Sequence, residues 1–436
     1  MRSSVPDNGE SATTPQLPLY SAAMSMPFPE ILHTLRERGF VQQVSDEAGL
    51  AAILRNGPVS YYCGFDPTAA SLHVGSMIPL MALAHLAHAG HHPIAVLGGG
   101  TAMVGDPSGK TELRQMLTVE TIKSNRDQIE PQVRRFLGAA GERALVVDNA
   151  EWLMPLNYLE FLREIGRHFS VNRMLAAEAY RLRLEKGLSF IEFNYQLLQA
   201  YDYLVLYRRH GCVLQVGGDD QWGNILAGTD LVRRLHQAET YALTFPLITT
   251  ASGAKMGKTA AGAVWLAAER TSPFDFYQYF VNVDDRDVIR FLKLLTFVPL
   301  DEIARYAALE GAELRAAKQA LAYAVTETVH GKSAADRAQL AAQAAFGGGA
   351  TGDLVPTYSV PPATLTGGLK IVDLLHASGL AASKSVARRL VEQGGVRVGD
   401  RKVTSVDDRV APDEIASQGT LLHAGKKHLR RIVVGD

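Results

Sequence analysis

Between about Phe28 and Leu247 short apolar runs alternate with helical patterns, and no other feature restricts the fold as much. Residues 59–65, 94–97, 144–147 and 213–216 read as buried strands. Residues 75–89 carry Met77, Leu80, Met81 and Ala84 at helical spacing, with Gly90 as the stop. Parallel strands need crossover connections, so the expected fold is α/β, a Rossmann-like parallel sheet with helices on both faces. Ligands of such sheets bind beyond the carboxyl ends of the strands. Asp66, Asp106, Asn149, Asp219 and Asp220 stand at those ends.

Beyond about Thr271 the strands stop, and residues 274–297 and 314–345 read as mixed-charge helices, the second stretch rich in alanine. Gly347-Gly348-Gly349 and the proline-bearing stretch to Gly368 read as a linker. Residues 369–436 hold twelve Lys/Arg against eight Asp/Glu and pattern as two short helices followed by strands. The expected layout is a tail over 1–27, an α/β domain over 28–270 and an all-α domain over 271–346. A linker over 347–368 and a small basic α+β module over 369–436 complete it. A chain of 436 residues has room for these parts.

The net charge of −1 excludes a global field that would draw nucleic acid onto the protein, so any such contact must come from a local patch. With 47% hydrophobic and 20% charged residues the chain is neither disordered throughout nor fibrous. Two distant cysteines, Cys63 and Cys212, make no disulfide framework or metal cluster and suit a reducing cytoplasm. No apolar run reaches the ~18 residues of a membrane span. The first 26 residues lack both a signal-peptide core and transit-peptide arginines, so Met24 or Met26 could equally be the start.

Gly109-Lys110-Thr111 and Gly257-Lys258-Thr259 imitate the end of a phosphate-binding P-loop. That motif requires a glycine five residues before the second one, where this chain has Val104 and Ser252. Gly98–Gly105 lacks the dinucleotide fingerprint, with Met103 at the third glycine position. More informative is Tyr62-Cys63-Gly64-Phe65-Asp66-Pro67-Thr68 leading to His73-Val74-Gly75-Ser76, where a strand ends and a helix starts. A helix N-terminus offers amides and a positive dipole to an anion, His73 adds a donor, and Gly75 admits a flat base. A helix cap with a surface histidine fits the same residues. Lys255-Met256-Gly257-Lys258-Thr259 could fold over a polyphosphate and neutralise charge developing on it. It could equally be a solvated loop. Tyr195, Gln199 and Asp202 fall at i, i+4 and i+7 and point from one helix face, either into a site or into water.

In this order and separation, His73-Val74-Gly75-Ser76 and Lys255–Thr259 resemble the two signatures of class I aminoacyl-tRNA synthetases. Gly105–Lys110, Tyr195–Asp202 and Gly217–Asn224 sharpen this to a resemblance to the bacterial tyrosyl-tRNA synthetase family, from Phe28 to the end. The resemblance implies that Tyr62 and Asp202 bind the substrate phenol, and that Asp106, Tyr195 and Gln199 bind its ammonium group. It assigns Thr68 and His73 to the ATP phosphates. Asp66, Gly75, Gly218, Asp220 and Gln221 would surround the adenosine or the reacting carboxylate, with Ser76 near the ribose. Lys110, Arg114, Lys255 and Lys258, assisted by Thr259, would hold pyrophosphate. It implies ATP with Mg2+ as substrate, no tightly bound cofactor or protein metal site, L-tyrosine and tRNA(Tyr) as partners, a homodimer, and no membrane association. The C-terminal segment resembles the RNA-binding module shared with a ribosomal small-subunit protein. Lys384, Arg388, Arg389, Lys426, Lys427, Arg430 and Arg431 would then meet tRNA phosphates.

There are two departures from the family pattern. In the first signature Ser76 stands where the family has its second histidine, and Asp219 stands where serine is usual, adding a carboxylate near the expected ribose site. A small nucleotidylyltransferase would be much shorter and would have no reason to carry Tyr62, Asp202 and a basic module. A tryptophan-specific relative would not need that pair. A non-catalytic RNA-binding paralogue would lose phosphate contacts, yet His73, Lys110, Arg114, Lys255 and Lys258 are all present.

Overall fold

The computed structural model describes residues 31–108, 116–176, 180–181, 184, 187–253, 256–259, 262–347, 355–425 and 428–435. The expected N-terminal tail lies outside the described residues.

The first body is built on a six-stranded sheet: β1 (Gln43–Val44), β2 (Ser60–Phe65), β3 (His92–Leu97), β4 (Leu145–Asp148), β5 (Cys212–Gly218) and β6 (Tyr241–Phe245). Their spatial order is β1-β6-β5-β2-β3-β4. Five strands are parallel, and β1 pairs antiparallel with β6 through Gln43↔Thr244 and Val44↔Leu243. Strands 2 to 5 match the sequence reading. Neither β1 nor β6 was expected: β1 is two residues long, and Tyr241–Phe245 carries Thr244 within its apolar run. The chain order reverses around β2, so the β2–β5 junction is the crevice where a ligand of such a sheet belongs.

The helices form for local reasons. Ser189 and Glu192 make a reciprocal capping box that starts the Phe190–His210 helix, and Gly211, at φ +59°, ends it. The expected helix from Gly75 begins instead as a 3-10 turn, Val74–Ser76, and continues as Met77–His88. Residues 274–297 are two helices, Pro273–Val281 and Val288–Leu295, because Asp284 caps a new turn at Asp285–Asp287. Residues 314–345 likewise split into Leu314–His330 and Lys332–Gly347 at Gly331, whose φ of +86° no helix can contain.

One apolar core runs from Leu35, Phe40 and Met77 under the sheet to Phe276, Phe280 and Phe291 of the helical region, so these two parts pack as one body. The C-terminal module has its own core, including Ile371, Leu375, Val396, Val410 and Ile432. Thr357–Val360, within the stretch read as linker, is an edge strand of the module's sheet and runs parallel to His428–Val434. A small cluster of Phe274, Ala341, Val355 and Leu429 lies between module and helical region. Beside it Arg430 forks both oxygens of Asp275 at 2.8 and 2.7 Å.

Candidate active site

The residues beyond the strand ends converge as the sheet topology requires. β2 ends at Phe65 and delivers Asp66, whose Oδ1 accepts from Thr101 Oγ1 at 2.8 Å and Oδ2 from Tyr195 Oη at 3.2 Å. A Cβ on Gly98 would stand 2.0 Å from Asp66 Oδ1, so only glycine lets the carboxylate lie there. The Phe190–His210 helix turns Tyr195, Gln199 and Asp202 toward this crevice while Leu197 and Leu204 are buried in neighbouring apolar clusters.

Asp202 sits at the floor. Trp152 Nε1 donates to its Oδ1 at 2.7 Å and Asn149 Nδ2 to its Oδ2 at 2.9 Å. Burial nevertheless pushes its pKa up to about 7, and the charges of Asp66 and Asp148 add to the shift. Tyr62, on β2, is 1% exposed and packs edge-on against Tyr203 at 5.2 Å. Among the described residues its hydroxyl meets no hydrogen-bond partner. Burial, and then the Asp202 charge, hold that phenol well above its ordinary value. A buried hydroxyl with no partner costs about 1–3 kcal/mol, so one beside a carboxylate marks a place where a polar ligand atom fits.

A second polar group lies nearer β5. Asp106 accepts from the Ser108 amide at 2.9 Å and from Gln221 Nε2 at 2.6 Å. Asn224 Nδ2 reaches Gln199 Oε1 at 3.1 Å, Ser108 Oγ at 3.3 Å and Gln221 Oε1 at 3.4 Å. Asp220 is raised above the ordinary carboxylate value by burial first and by the Asp106 charge second. Its Oδ1 lies over Gly218, where a Cβ would approach to 2.6 Å. Asp219 turns away from this group: its Oδ1 accepts from Gln43 Nε2 at 2.7 Å and Thr244 Oγ1 at 2.9 Å, binding the turn after β5 to the sheet edge.

The two signatures meet. His73 caps the 3-10 turn, its Nδ1 accepting from the Gly75 amide at 3.0 Å, which puts the neutral ring's proton on Nε2. A Cβ on Gly75 would stand 2.7 Å from the His73 ring. Thr68 and His73 are exposed on the rim, and Ser76 is half-buried behind them. Gly257, at φ +77°, packs its backbone against the first signature: a Cβ there would lie 3.2 Å from Val74 Cβ and 3.5 Å from the Gly75 nitrogen. Val74 N donates to Val264 O and Val264 N to Gly257 O, at 3.0 and 2.8 Å. Lys258 and Thr259 form β7 (Lys258–Thr259), paired with β8 (Gly262–Ala263). Lys110, Arg114 and Lys255 lie outside the described residues, as do Lys426 and Lys427.

In the module, Arg388 and Arg389 are exposed on the Lys384–Glu392 helix, and Lys384 pairs with Asp373 at 2.8 Å. Arg430 is held by Asp275 with only 15% of its side chain exposed, and Arg431 Nε donates to the Gln418 carbonyl at 2.7 Å. An internal ion pair therefore occupies the Arg430 fork that the sequence reading offered to phosphates. Sequence reasoning noted Asn149 without a role and gave none to Thr101, Trp152 or Asn224. For Trp152 the one available signal was an indole three residues after a strand-end asparagine. A cleft of about 770 Å³ adjoins the site, lined by Arg167, Arg173, Asp220, Asn224 and Arg234 among others. Among the described residues no group of three or more His, Cys, Asp or Glu is placed to hold a metal ion.

Residues 54–347 match the family model described as class I tRNA synthetases (W and Y), and residues 369–415 match the S4 domain; the chain belongs to that synthetase family. Among similar proteins, the tyrosine–tRNA ligase of Desulfosudis oleivorans is 52% identical over 427 residues, covering 93% of this chain and 99% of its own. That of Acetivibrio thermocellus is 50% identical over 402 residues, covering 92% and 98%. A solved C-terminally truncated mitochondrial tyrosyl-tRNA synthetase from Aspergillus nidulans superposes with a TM-score of 0.66 at 33% identity. It covers 72% of this chain and 94% of its own.

Proposed function

We propose that this chain is a tyrosine–tRNA ligase. It joins L-tyrosine to the α-phosphate of ATP with release of pyrophosphate, then passes the tyrosyl group to the terminal ribose hydroxyl of tRNA(Tyr). The observation that carries the choice of amino acid is the buried, unpartnered Tyr62 hydroxyl beside Asp202. A substrate phenol placed between them accepts from Tyr62 and donates to Asp202, satisfying both. Phenylalanine leaves the Tyr62 hydroxyl without a partner. In tyrosyl-tRNA synthetases as a family, rejection of phenylalanine by unpaired polar groups is already known to reach ~10⁵.

Asp106, Tyr195 and Gln199 supply oxygen acceptors for the ammonium group, and Gln221 adjoins the carboxylate. That carboxylate is ionised at neutral pH and needs no general base. It attacks the α-phosphate in line, so catalysis consists of positioning and of stabilising charge that moves onto pyrophosphate. His73, through Nε2–H, and Thr68 donate to the phosphates from the rim. Lys110, Arg114, Lys255 and Lys258, with Thr259, close on the leaving group. Asp66, Gly75, Ser76, Gly218 and Asp220 border the adenosine. ATP enters as its Mg2+ complex, the ion belonging to the substrate.

For the second step, the adjoining cleft offers Arg167 to the tRNA end, with Arg173 and Arg234 beside it sharing Asp230. Lys384, Arg388, Arg389, Lys426, Lys427 and Arg431 meet phosphates farther along the RNA. Met154, Tyr158 and Leu159 are exposed together on neighbouring turns, a surface that a second copy would cover in a homodimer. No helix among the described residues is long and apolar enough to cross a membrane. The reaction belongs in the cytoplasm with its tRNA, where Cys63 and Cys212, both buried and free, stay reduced.

The test is exchange of labelled pyrophosphate into ATP with tyrosine, phenylalanine or tryptophan, using His73→Ala as control. Exchange supported by tyrosine alone and lost in the variant is the expected result. Equal exchange with phenylalanine would overturn the assignment of the phenol pair.

A further inference from the structure

We propose that Asn224 is a positioning residue for the amino acid: its side-chain amide fixes which way the Gln199 and Gln221 amides face, and so builds the ammonium subsite. The inference rests on reading Asp106, Tyr195 and Gln199 as that subsite. A carboxylate accepts hydrogen bonds and donates none, so the Gln221 atom 2.6 Å from Asp106 Oδ2 must be Nε2. Gln221 Oε1 then faces Asn224, which must answer with its NH2 group at 3.4 Å. The same NH2 group meets Gln199 Oε1 at 3.1 Å, its shortest contact, and Ser108 Oγ at 3.3 Å, so its two N–H donors are shared among three acceptors. The ring closes where the Ser108 amide donates to Asp106 Oδ1.

Ring geometry gives each amide one orientation. An ammonium group has only N–H donors, so it binds where oxygens converge. Were Gln199 reversed, its own NH2 would confront the ammonium. With Oε1 held by Asn224, the second lone pair of that oxygen stays available as an acceptor, beside Asp106 and the Tyr195 hydroxyl oxygen. Asn224 is 4% exposed and sits in the first turn of the Trp222–His236 helix. Ile225, Leu231 and Val232 of that helix carry its packing. Asn224 is therefore expected to act through its neighbours, not through the fold.

The experiment is equilibrium binding to the full chain of L-tyrosine, tyramine, and 3-(4-hydroxyphenyl)propanoate, which keeps the phenol and carboxylate but lacks the ammonium. In Asn224→Ala, L-tyrosine and tyramine affinities fall about ten-fold while the propanoate, which meets Gln221 at its carboxylate but not the ammonium subsite, loses much less. Binding of the propanoate also reports that the variant is folded. Asn224→Ser keeps a donor on a side chain one bond shorter, and a water bridging it to the glutamine oxygens recovers part of the preference for tyrosine. Equal loss of all three ligands in both variants, or no loss in either, overturns the proposal. A wild-type chain with no preference for L-tyrosine over the propanoate would instead remove the ammonium subsite itself.

Discussion

Asp202 keeps its proton to about 7 even though Asn149 and Trp152 both donate to its carboxylate. Its folded value stands above the ordinary carboxylate value of about 4. Between those values the folded chain holds a proton that the unfolded chain has released, so this group's contribution to stability falls as pH rises through that window. Binding runs the other way, because the ionised carboxylate is the better acceptor for a phenol. The KM for tyrosine is expected to fall as pH rises from about 5.5 toward 7 and then level off. In Asp202→Asn that inflection disappears, which steady-state exchange at a series of pH values will check. Tyr62→Phe removes a buried hydroxyl that has no partner. The variant should unfold at higher denaturant, by about 1 kcal/mol, while discrimination between tyrosine and phenylalanine falls by at least ten-fold. The Tyr195/Gln199/Asp202 stripe was legible because three residues on one helix obey a fixed spacing. The partners that orient it were not legible: Trp152 meets Asp202 across fifty positions and Asn224 meets Ser108 across 116, contacts that only the strand order creates.

At the scale of elements, the second signature is held from the helical region. Gly257 N donates to Tyr279 Oη at 3.2 Å, Ala251 N to Asp287 Oδ2 at 2.8 Å, and Arg290 to the Thr249 carbonyl and to Asp287. Thr249 and Ala251, and Gly257 next to Lys258, are thus tied to the helical region. Tyr279→Phe withdraws one anchor without adding bulk. Exchange should show a several-fold lower kcat with an unchanged KM for tyrosine, since the anchor bears on the pyrophosphate side of the reaction. The parallel sheet was legible from its apolar runs, and the helical region from its periodicity. The breaks at Asp284 and Gly331 were missed because the apolar spacing continues across them while the backbone does not. The strand Thr357–Val360 was missed because its partner, His428–Val434, lies at the far end of the chain.

For the whole molecule, two cores mean two levels of cohesion. The sheet and the helical region share one apolar interior, whereas the module joins them through a small cluster and the Arg430–Asp275 fork. Asp275→Asn, which unbalances that fork without touching a residue of the tyrosine pocket and leaves Tyr279 in place, should leave tyrosine-dependent exchange unchanged. Aminoacylation of tRNA should lose several-fold in kcat/KM, through a raised KM for the tRNA. Comparing the two assays on one preparation checks this. The unpartnered hydroxyl at the floor of the pocket also has a consequence for protein turnover. On the proposed reading tyrosine binds the folded chain and relieves that cost, so free tyrosine is expected to stabilise its own ligase. Withdrawing tyrosine is then expected to let the chain open more often and to raise its susceptibility to proteases that act on unfolded chains, which limited proteolysis with and without tyrosine will check.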